Sequence, residues 1–243
     1  MIDPVSRFAR RGLWAMPVFA VLLGAGTINH QPPPQTQLAD WSRFVTTNEF
    51  LASHLVASIG GAIFGVIGAV SLGIVLAQRG SIRLGLWGLV TGVSAQVLLS
   101  SIFGVAAYTQ PAIGRFYLAG HGQLAQNLYF DAAQGTPMVV TALIALLLFV
   151  ASFVVFGVAV ARMPELPKLA GIGFAVSAVL FGVIGFALDN WVQSVACALM
   201  IGSSVWIAVA LSRSQPEIAD QLTDNLASAE AKSGRSLISG WGR

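Results

Sequence analysis

The sequence predicts an all-α protein, a polytopic bundle of six transmembrane helices with the N- and C-termini in the cytoplasm. Hydrophobic residues make up 56% of the 243 residues and charged residues only 9%, whereas a typical soluble domain carries about 25% charged residues. The apolar residues form six long runs, and the basic residues are concentrated in every second connection. These three observations argue against a soluble fold, a disordered chain and a nucleic-acid-binding protein.

Each apolar run is close to the length that a membrane-spanning helix needs, which is roughly 20 residues for about 30 Å of hydrocarbon. No run carries a charged residue deep inside it. Helices are expected because lipid cannot hydrogen-bond the backbone groups of an open sheet edge. The runs predict a transmembrane domain over residues 1–211, with spans at residues 13–29, 51–77, 84–108, 137–161, 169–188 and 191–211.

The basic residues predict the orientation, because Lys and Arg are enriched in the cytoplasmic segments of membrane proteins. With the N-terminus in the cytoplasm, the outer loops carry only Arg43 and Arg115 of the 13 basic residues, and the inner segments carry the other eleven. Six spans then return the C-terminus to the cytoplasm. The excess of Arg over Lys and the abundance of Ala and Gly indicate a G+C-rich genome, so we expect the plasma membrane of a bacterium.

The first span has two interpretations. Three arginines precede an apolar run that ends in small residues around Ala25, and this pattern resembles a cleaved signal peptide. Because no soluble domain follows the run, we favour an uncleaved anchor. Cleavage would leave five spans with the same orientation.

The first outer loop, residues 30–50, carries two helical signals. Leu38, Trp41 and Val45 recur at helical spacing and predict a short interfacial helix. Residues 46–49 match the Thr-x-x-Glu pattern of a capping box. We therefore expect the second span to open at this box.

The second outer loop, residues 109–136, combines a helical signal with ionisable side chains. Leu124 and Leu128 are four positions apart and predict a lid-like helix on the outer surface. Glycines on both sides of the loop histidine allow the backbone to turn there. The ionisable residues that we single out in this loop are Arg115, His121 and Asp131.

Residues 212–243 form a polar tail that we expect on the cytoplasmic side. Residues 214–217 match a second capping box with a proline near the first turn, and Ile218, Leu222 and Leu226 line one helical face. A short amphipathic helix that contacts a partner and a solvated tail without a partner both fit this pattern.

Small residues predict which helix faces pack, because membrane helices associate through close packing. Gly61, Gly65 and Gly68 share a face of the second span, and Gly182 and Gly185 share a face of the fifth. Both spans contain the sequence Phe-Gly-Val-Ile-Gly, which is a weak sign of an inverted repeat.

About one turn beyond each glycine face lies an ionisable residue near the outer boundary, His54 in the second span and Asp189 after the fifth. Burying such a group in a membrane protein is costly unless it is paired or faces water. If the two glycine faces meet, His54 and Asp189 lie within side-chain reach of each other. The alternative is that His54 lies at the interface and Asp189 is a turn residue.

The leading functional hypothesis is a non-enzymatic binding, scaffold or accessory subunit, embedded in the lipid bilayer as part of a larger membrane complex or a homo-oligomer. We expect no catalytic residues, because the sequence contains neither a nucleophile elbow nor a glycine-rich phosphate loop. The candidate ligand site is a polar cluster at the outer face, formed by His54, Asp189, His121, Asp131 and Arg115.

Two other functions stay open. Gln96 is the largest polar residue in mid-span, and it either hydrogen-bonds a neighbouring helix or lines a channel for a small neutral or apolar solute. A haem- or metal-binding redox subunit would use His54 and His121, although no paired-histidine spacing is present and we expect no cofactor. The single Cys197 excludes an intrachain disulfide.

Overall fold

A computed structural model describes residues 4–27, 33, 35–185 and 190–213. Within these residues the chain is helical and has no strands. Helices α4, α5 and α8 each contain a π-helical segment. The bounds are α1 Pro4–Gly12, α2 Ala15–Thr27, α3 Leu38–Val45, α4 Asn48–Gln78, α5 Ile82–Leu118, α6 Gly122–Leu128, α7 Thr136–Arg162, α8 Lys168–Ile184 and α9 Asn190–Arg213.

Six of these helices form a closed ring. Helices α2, α4, α5, α7, α8 and α9 each pack against the next, and α9 returns to pack against α2. The short connections at residues 79–81 and 163–167 make α4–α5 and α7–α8 antiparallel hairpins. We call this arrangement the helix ring.

Within the described part of the chain, five helical stretches are long and apolar enough to cross a membrane, which confirms the predicted class of all-helical membrane protein. They are Pro4–Thr27, Asn48–Gln78, Ile82–Leu118, Gly122–Arg162 and Trp191–Ser212. The apolar helix Lys168–Ile184 is shorter, and residues 186–189 lie outside the described part of the chain. The predicted fifth span, residues 169–188, and with it the count of six spans, therefore stay predictions.

The first span differs from its predicted form, because its helix begins at Pro4 and is interrupted at Leu13 and Trp14. Pro17 explains the interruption: its ring has no N–H and clashes with the carbonyl four residues earlier. That carbonyl belongs to Leu13, and it accepts instead from the Met16 N–H at 3.2 Å. The polar helix α1 therefore meets the apolar helix α2 at a bend.

Phenylalanine rings fill the centre of the helix ring. The ring centroids of Phe153 and Phe174 are 4.4 Å apart, and those of Phe149 and Phe153 are 4.6 Å apart. Phe19 from α2 meets Phe149 edge-on at 6.3 Å. Side chains from α2, α7 and α8 thus share one buried core.

The outward faces of the ring helices are apolar. Leu147 is 70% exposed and Val97 is 59% exposed, so these faces have the composition that contact with lipid requires. The exposed tryptophans lie within about two turns of a helix end, as expected for side chains at the headgroup level. These are Trp14, Trp87, Trp191 and Trp206.

Each hairpin of the ring contains a pair of glycines that lets two backbones touch. A Cβ atom at Gly157 would lie 2.5 Å from the carbonyl oxygen of Gly171, and a Cβ atom at Gly171 would lie 2.5 Å from that of Gly157. In the other hairpin, a Cβ atom at Gly85 would lie 2.7 Å from the carbonyl oxygen of Gly73. Neither pair belongs to the glycine faces that the sequence predicts.

The predicted outer loops are largely helical and form a cap with its own apolar core. The cap consists of α3, the last turns of α5 (Gln110–Leu118), α6 and the π-helical turn Tyr129–Ala133. Trp41, Val45 and Ile113 are buried in its core. The helices predicted from the Leu38 and Leu124 periodicities are present as α3 and α6.

Two boundaries in the cap region differ from the prediction. The N-cap of α4 is Thr47, whose hydroxyl accepts from the Phe50 N–H at 3.2 Å, so the cap lies one residue later than the predicted box. The third span was expected to end at residue 108, but its helix runs through Pro111 to Leu118. A π-helical segment, Val105–Thr109, directly precedes that proline and accommodates its missing N–H.

The glycine crossing in the α7–α8 hairpin predicts an unequal effect of two identical substitutions. Gly171→Ala places a methyl group against backbone atoms and should destabilise the protein by about 1–3 kcal/mol. Gly202→Ala is the matched control, because nothing lies within 4 Å of a Cβ atom there, and it should be neutral or slightly stabilising. Thermal unfolding of the detergent-solubilised protein measures both, and equal midpoints would contradict the crossing.

Candidate functional site

The predicted outer cluster is divided between a buried residue and three exposed ones. His54 is only 4% exposed, whereas Arg115, His121 and Asp131 are exposed on the cap. Asp189 lies outside the described residues. These three ionisable side chains thus face the surroundings of the cap, as do Asp40 and Arg43 of α3, whereas His54 belongs to the interior of the protein.

His54 is held by its own helix. Its Nδ1 atom lies 2.9 Å from the Phe50 carbonyl oxygen, and its ring centroid is 4.2 Å from that of Phe50. Because a carbonyl only accepts, this contact requires a hydrogen on Nδ1. The ring orientation is therefore determined by the first turns of α4.

His121 has a different role, in the turn between α5 and α6. Gly120 has a φ of +92°, a left-handed conformation that glycine adopts without strain. The Gly120 N–H donates to the Tyr117 carbonyl at 3.0 Å, and the His121 N–H donates to the Phe116 carbonyl at 3.1 Å. These bonds form a Schellman-type helix end, so the His121 backbone ends one helix where the next begins.

The two predicted glycine faces contact different helices. Cβ atoms at Gly61 and Gly68 would meet Leu22 and Met16 of α2. The Gly182 face instead meets Leu146 of α7, where a Cβ atom would lie 2.6 Å from the leucine Cδ1. The assumption behind a His54–Asp189 pair, that these faces meet each other, is therefore wrong for the described residues.

The other two predicted packing glycines, Gly65 and Gly185, each contact a glutamine of a neighbouring helix. A Cβ atom at Gly65 would meet Gln96 of α5, and one at Gly185 would lie 2.5 Å from the Gln193 Cγ atom of α9.

The repeated pentapeptide is regular α-helix in α4 but lies largely in a π-helical segment, Leu180–Ile184, in α8. The two copies thus differ in backbone geometry.

Gln96 lies between helices α4 and α5. It is 3% exposed, and its side-chain atoms fill the space that Gly65 leaves, with Cδ 2.6 Å from where a Cβ atom would stand. Its Oε1 atom is buried and has no hydrogen-bond partner among the described residues. Gln96 therefore occupies a packed helix contact.

The cap contains a groove with a volume of about 330 Å³. Aromatic side chains form much of its wall, and the lining residues include three with a hydroxyl group and one with a side-chain amide. No acidic or basic side chain contributes to this wall. The lining residues are Thr36, Leu38, Tyr117, Gly122, Gln126, Tyr129 and Phe130.

Packing inside the cap holds one wall of this groove in place. Tyr129 is 4% exposed and meets the buried Trp41 ring edge-on, with centroids 4.9 Å apart. Phe130 meets Tyr129 edge-on at 5.5 Å on the other side and is 51% exposed. A rigid aromatic wall with one exposed ring suits an uncharged ligand or an apolar protein segment.

Irregular backbone is concentrated toward the cap. The π-helical segments of the described residues are Ser53–Gly60, Val105–Thr109, Tyr129–Ala133 and Leu180–Ile184. Each lies in the half of its helix nearer the cap, or in the cap itself. π-helical turns occur frequently at functional sites, so this distribution also directs attention to the cap end.

Metal ligation has little support in the described geometry. No three His, Cys, Asp or Glu residues of the described chain come together in an arrangement that could hold a metal ion. The two histidines of the redox hypothesis also differ in setting, since His54 is buried in α4 and His121 is exposed at a cap turn.

The helical periodicities of the sequence predict the cap helices but not the groove between them. Its lining comes from three separate chain segments, and its principal residues are aromatic and amide side chains that carry no catalytic pattern. The sequence carried one signal for these walls. Trp41 in α3 and Leu128 in α6 each belong to a set of apolar residues at helical spacing, which indicates a helix face that must pack against another part of the protein. Comparisons of the chain with protein-family models, curated proteins and solved structures found no match.

The contact between Gly65 and Gln96 predicts a coupled pair of substitutions. Gly65→Ala alone should cost about 1–3 kcal/mol, because its methyl group overlaps the amide. Combined with Gln96→Ala it should recover much of that loss, with a coupling of roughly 1 kcal/mol or more. A double-mutant cycle on thermal stability measures this coupling.

Val97 provides the control for this cycle. It is adjacent to Gln96 in sequence but 59% exposed. Val97→Ala should therefore combine additively with Gly65→Ala, within about 0.5 kcal/mol. Additive behaviour of the Gln96 pair would refute the packed contact.

Proposed function

We propose that this protein is a six-span protein of a bacterial plasma membrane, with both termini in the cytoplasm. In this proposal it acts as a non-enzymatic binding or accessory subunit, and its outer cap is the binding surface. The observation that carries the proposal is the contrast between a filled helix ring and a cap that contains an open groove.

Buried side chains of the described residues fill the centre of the helix ring. The cavity between Leu13, Leu72, Phe174 and Ile207 has a volume of about 10 Å³, at the lower limit of what one water molecule needs. The cap groove has about 330 Å³. This contrast favours binding at the cap over passage of a solute through the bundle. Gln96 gives the channel alternative no support, because its side chain packs against α4 at Gly65.

The surface of the cap has the mixed character of a protein interface. Several large apolar side chains are exposed there beside the ionisable Arg115, His121 and Asp131. Interfaces combine an apolar centre with a polar rim in this way. The exposed apolar residues are Phe116, Leu118, Leu124 and Phe130. A second chain of a membrane complex, or a second copy of this chain, would cover them.

The distribution of charge supports the proposed orientation. The loops at residues 79–83 and 162–168 and the helix α1 lie at the end of the ring opposite the cap. This end carries the basic side chains of those segments, and its elements are tied together by hydrogen bonds. Gln78 donates to the Ser6 hydroxyl at 3.1 Å, and Arg79 donates to the Leu211 carbonyl at 3.3 Å.

Cysteine labelling tests the orientation. Cys197 is 1% exposed, so the unsubstituted protein should give no background with a membrane-impermeant maleimide. In intact cells, Gln123→Cys on the cap should be labelled, and Glu165→Cys in an inner connection should react only after lysis. The reverse pattern would overturn the orientation, because both positions are exposed in the structure.

Co-purification tests the function of the cap. The protein extracted from its membrane in a mild detergent should carry a stoichiometric second polypeptide, or a second copy measured by light scattering. The double variant Gln126→Ala/Phe130→Ala should lose that association. The matched control Leu147→Ala, at an exposed position facing lipid, should retain it. A monomeric protein without a companion, or equal losses in both variants, would contradict the proposal.

A further inference from the structure

An open cleft lies at the end of the helix ring opposite the cap. Its volume is about 290 Å³, and it is lined by Arg7, Arg10, Arg11, Trp14 and Ser212. Four of these residues belong to the segment from α1 to the bend before α2, and the fifth lies near the end of α9. We call it the arginine cleft.

The spacing of the sequence places these four residues on one side of the segment. Arg7, Arg10, Arg11 and Trp14 are three or four positions apart, which aligns side chains along one helical face. Ala9 is buried, and Ser6 accepts a hydrogen bond from Gln78. One side of α1 is therefore packed against α4, and the arginine side remains open toward the end of α9.

The cleft concentrates positive charge, and none of its described lining residues carries a carboxylate. The ion pair recorded among the described residues, Arg43 with Asp40 at 3.1 Å, lies in the cap. Like charges four positions apart, such as Arg7 and Arg11, destabilise a helix. An anion in the cleft would remove that repulsion.

A further cation lies close to this cluster. Burial lowers the pKa of the Arg79 guanidinium; the Glu165 carboxylate opposes this shift, and the charge of Arg10 lowers the pKa further. Arg10 and Arg79 thus repel each other across the junction of α1 with the α4–α5 turn. The positive field of this end extends beyond the three arginines of the cleft.

The neighbouring surface indicates what kind of anion fits. Guanidinium groups bind phosphate oxygens through paired hydrogen bonds. Beside the arginines, α1 exposes Phe8 at 54% and Val5 at 51%, and Trp14 is 46% exposed. An amphipathic helix with such residues lies at the boundary between headgroups and acyl chains. A phosphate attached to hydrocarbon chains matches both the arginines and the apolar side chains beside them, whereas a free phosphate matches only the arginines.

We propose that the arginine cleft binds the headgroup phosphate of an anionic phospholipid, with Arg7, Arg10 and Arg11 as ligands and Trp14, Phe8 and Val5 against the adjoining acyl chains. This site is independent of the cap and goes beyond the proposed function. Bound lipid would hold α1 in place against α4 and the end of α9.

Native mass spectrometry of the full chain in detergent tests this site by titration with phosphatidylglycerol and phosphatidylcholine. The unsubstituted protein should prefer phosphatidylglycerol. The triple variant Arg7→Gln/Arg10→Gln/Arg11→Gln should bind it about tenfold more weakly. The control variant Arg83→Gln/Arg162→Gln/Lys168→Gln removes the same charge from the same end of the protein and should change the affinity less than about twofold.

A second variant retains the charge and so separates binding from folding. Arg7→Lys/Arg10→Lys/Arg11→Lys keeps three cations but loses the paired hydrogen bonds. Its affinity for phosphatidylglycerol should fall between that of the unsubstituted protein and that of the glutamine triple variant. Unsubstituted affinity in the lysine variant, or equal losses in the cleft and control variants, would overturn the site. If millimolar inorganic phosphate displaced phosphatidylglycerol, the site would recognise free phosphate, and the assignment of the bound phosphate to a lipid would be overturned. Loss of the cap-dependent association alone would leave this inference standing.

Discussion

The close approach of helix backbones at glycine pairs is the constraint on which this fold depends. Lipid tails are as apolar as leucine, so helices in a membrane gain little from burying apolar side chains and must instead pack closely. At Gly157 and Gly171 each backbone lies where a side chain would otherwise stand, and Gly73 and Gly85 repeat the arrangement. These contacts determine the geometry of both hairpins, and the phenylalanine core packs between the hairpins and α2.

Several serine hydroxyls of the helix ring donate to backbone carbonyls of the helices. The Ser177 hydroxyl donates to the Phe174 carbonyl at 2.7 Å, and the Ser204 hydroxyl donates to the Ile201 carbonyl at 3.0 Å. Ser152 instead reaches across to the Gly88 carbonyl at 2.8 Å and joins α7 to α5. Hydroxyls that are satisfied by backbone carbonyls do not offer a hydrated path to a solute. The interior of the bundle thus acts as a scaffold for its two ends.

The two ends are built differently. The end with the basic loops has no π-helical segment among the described residues, a glycine turn at Gly80 with a φ of +91° and short connections. The cap end has π-helical segments, longer connections and a second apolar core around Trp41. Regular helices with basic flanks suit the task of anchoring the protein at a lipid surface. A separate core that carries aromatic rings and ionisable side chains suits recognition, because its surface can vary without disturbing the bundle.

The sequence by itself determined the features that depend on local chemistry: the apolar helices, the concentration of arginine at one end, and the cap helices that follow from the Trp41 and Leu124 periodicities. Tertiary structure alone decided which faces meet. Gly61 and Gly182 both predict close packing, but only the order of helices in the ring assigns one to α2 and the other to α7. The groove at Tyr129 likewise needs three segments brought together. Hydrophobicity and helical periodicity act over a few turns of one chain segment, whereas the partner of a helix face depends on how all six helices close on one another.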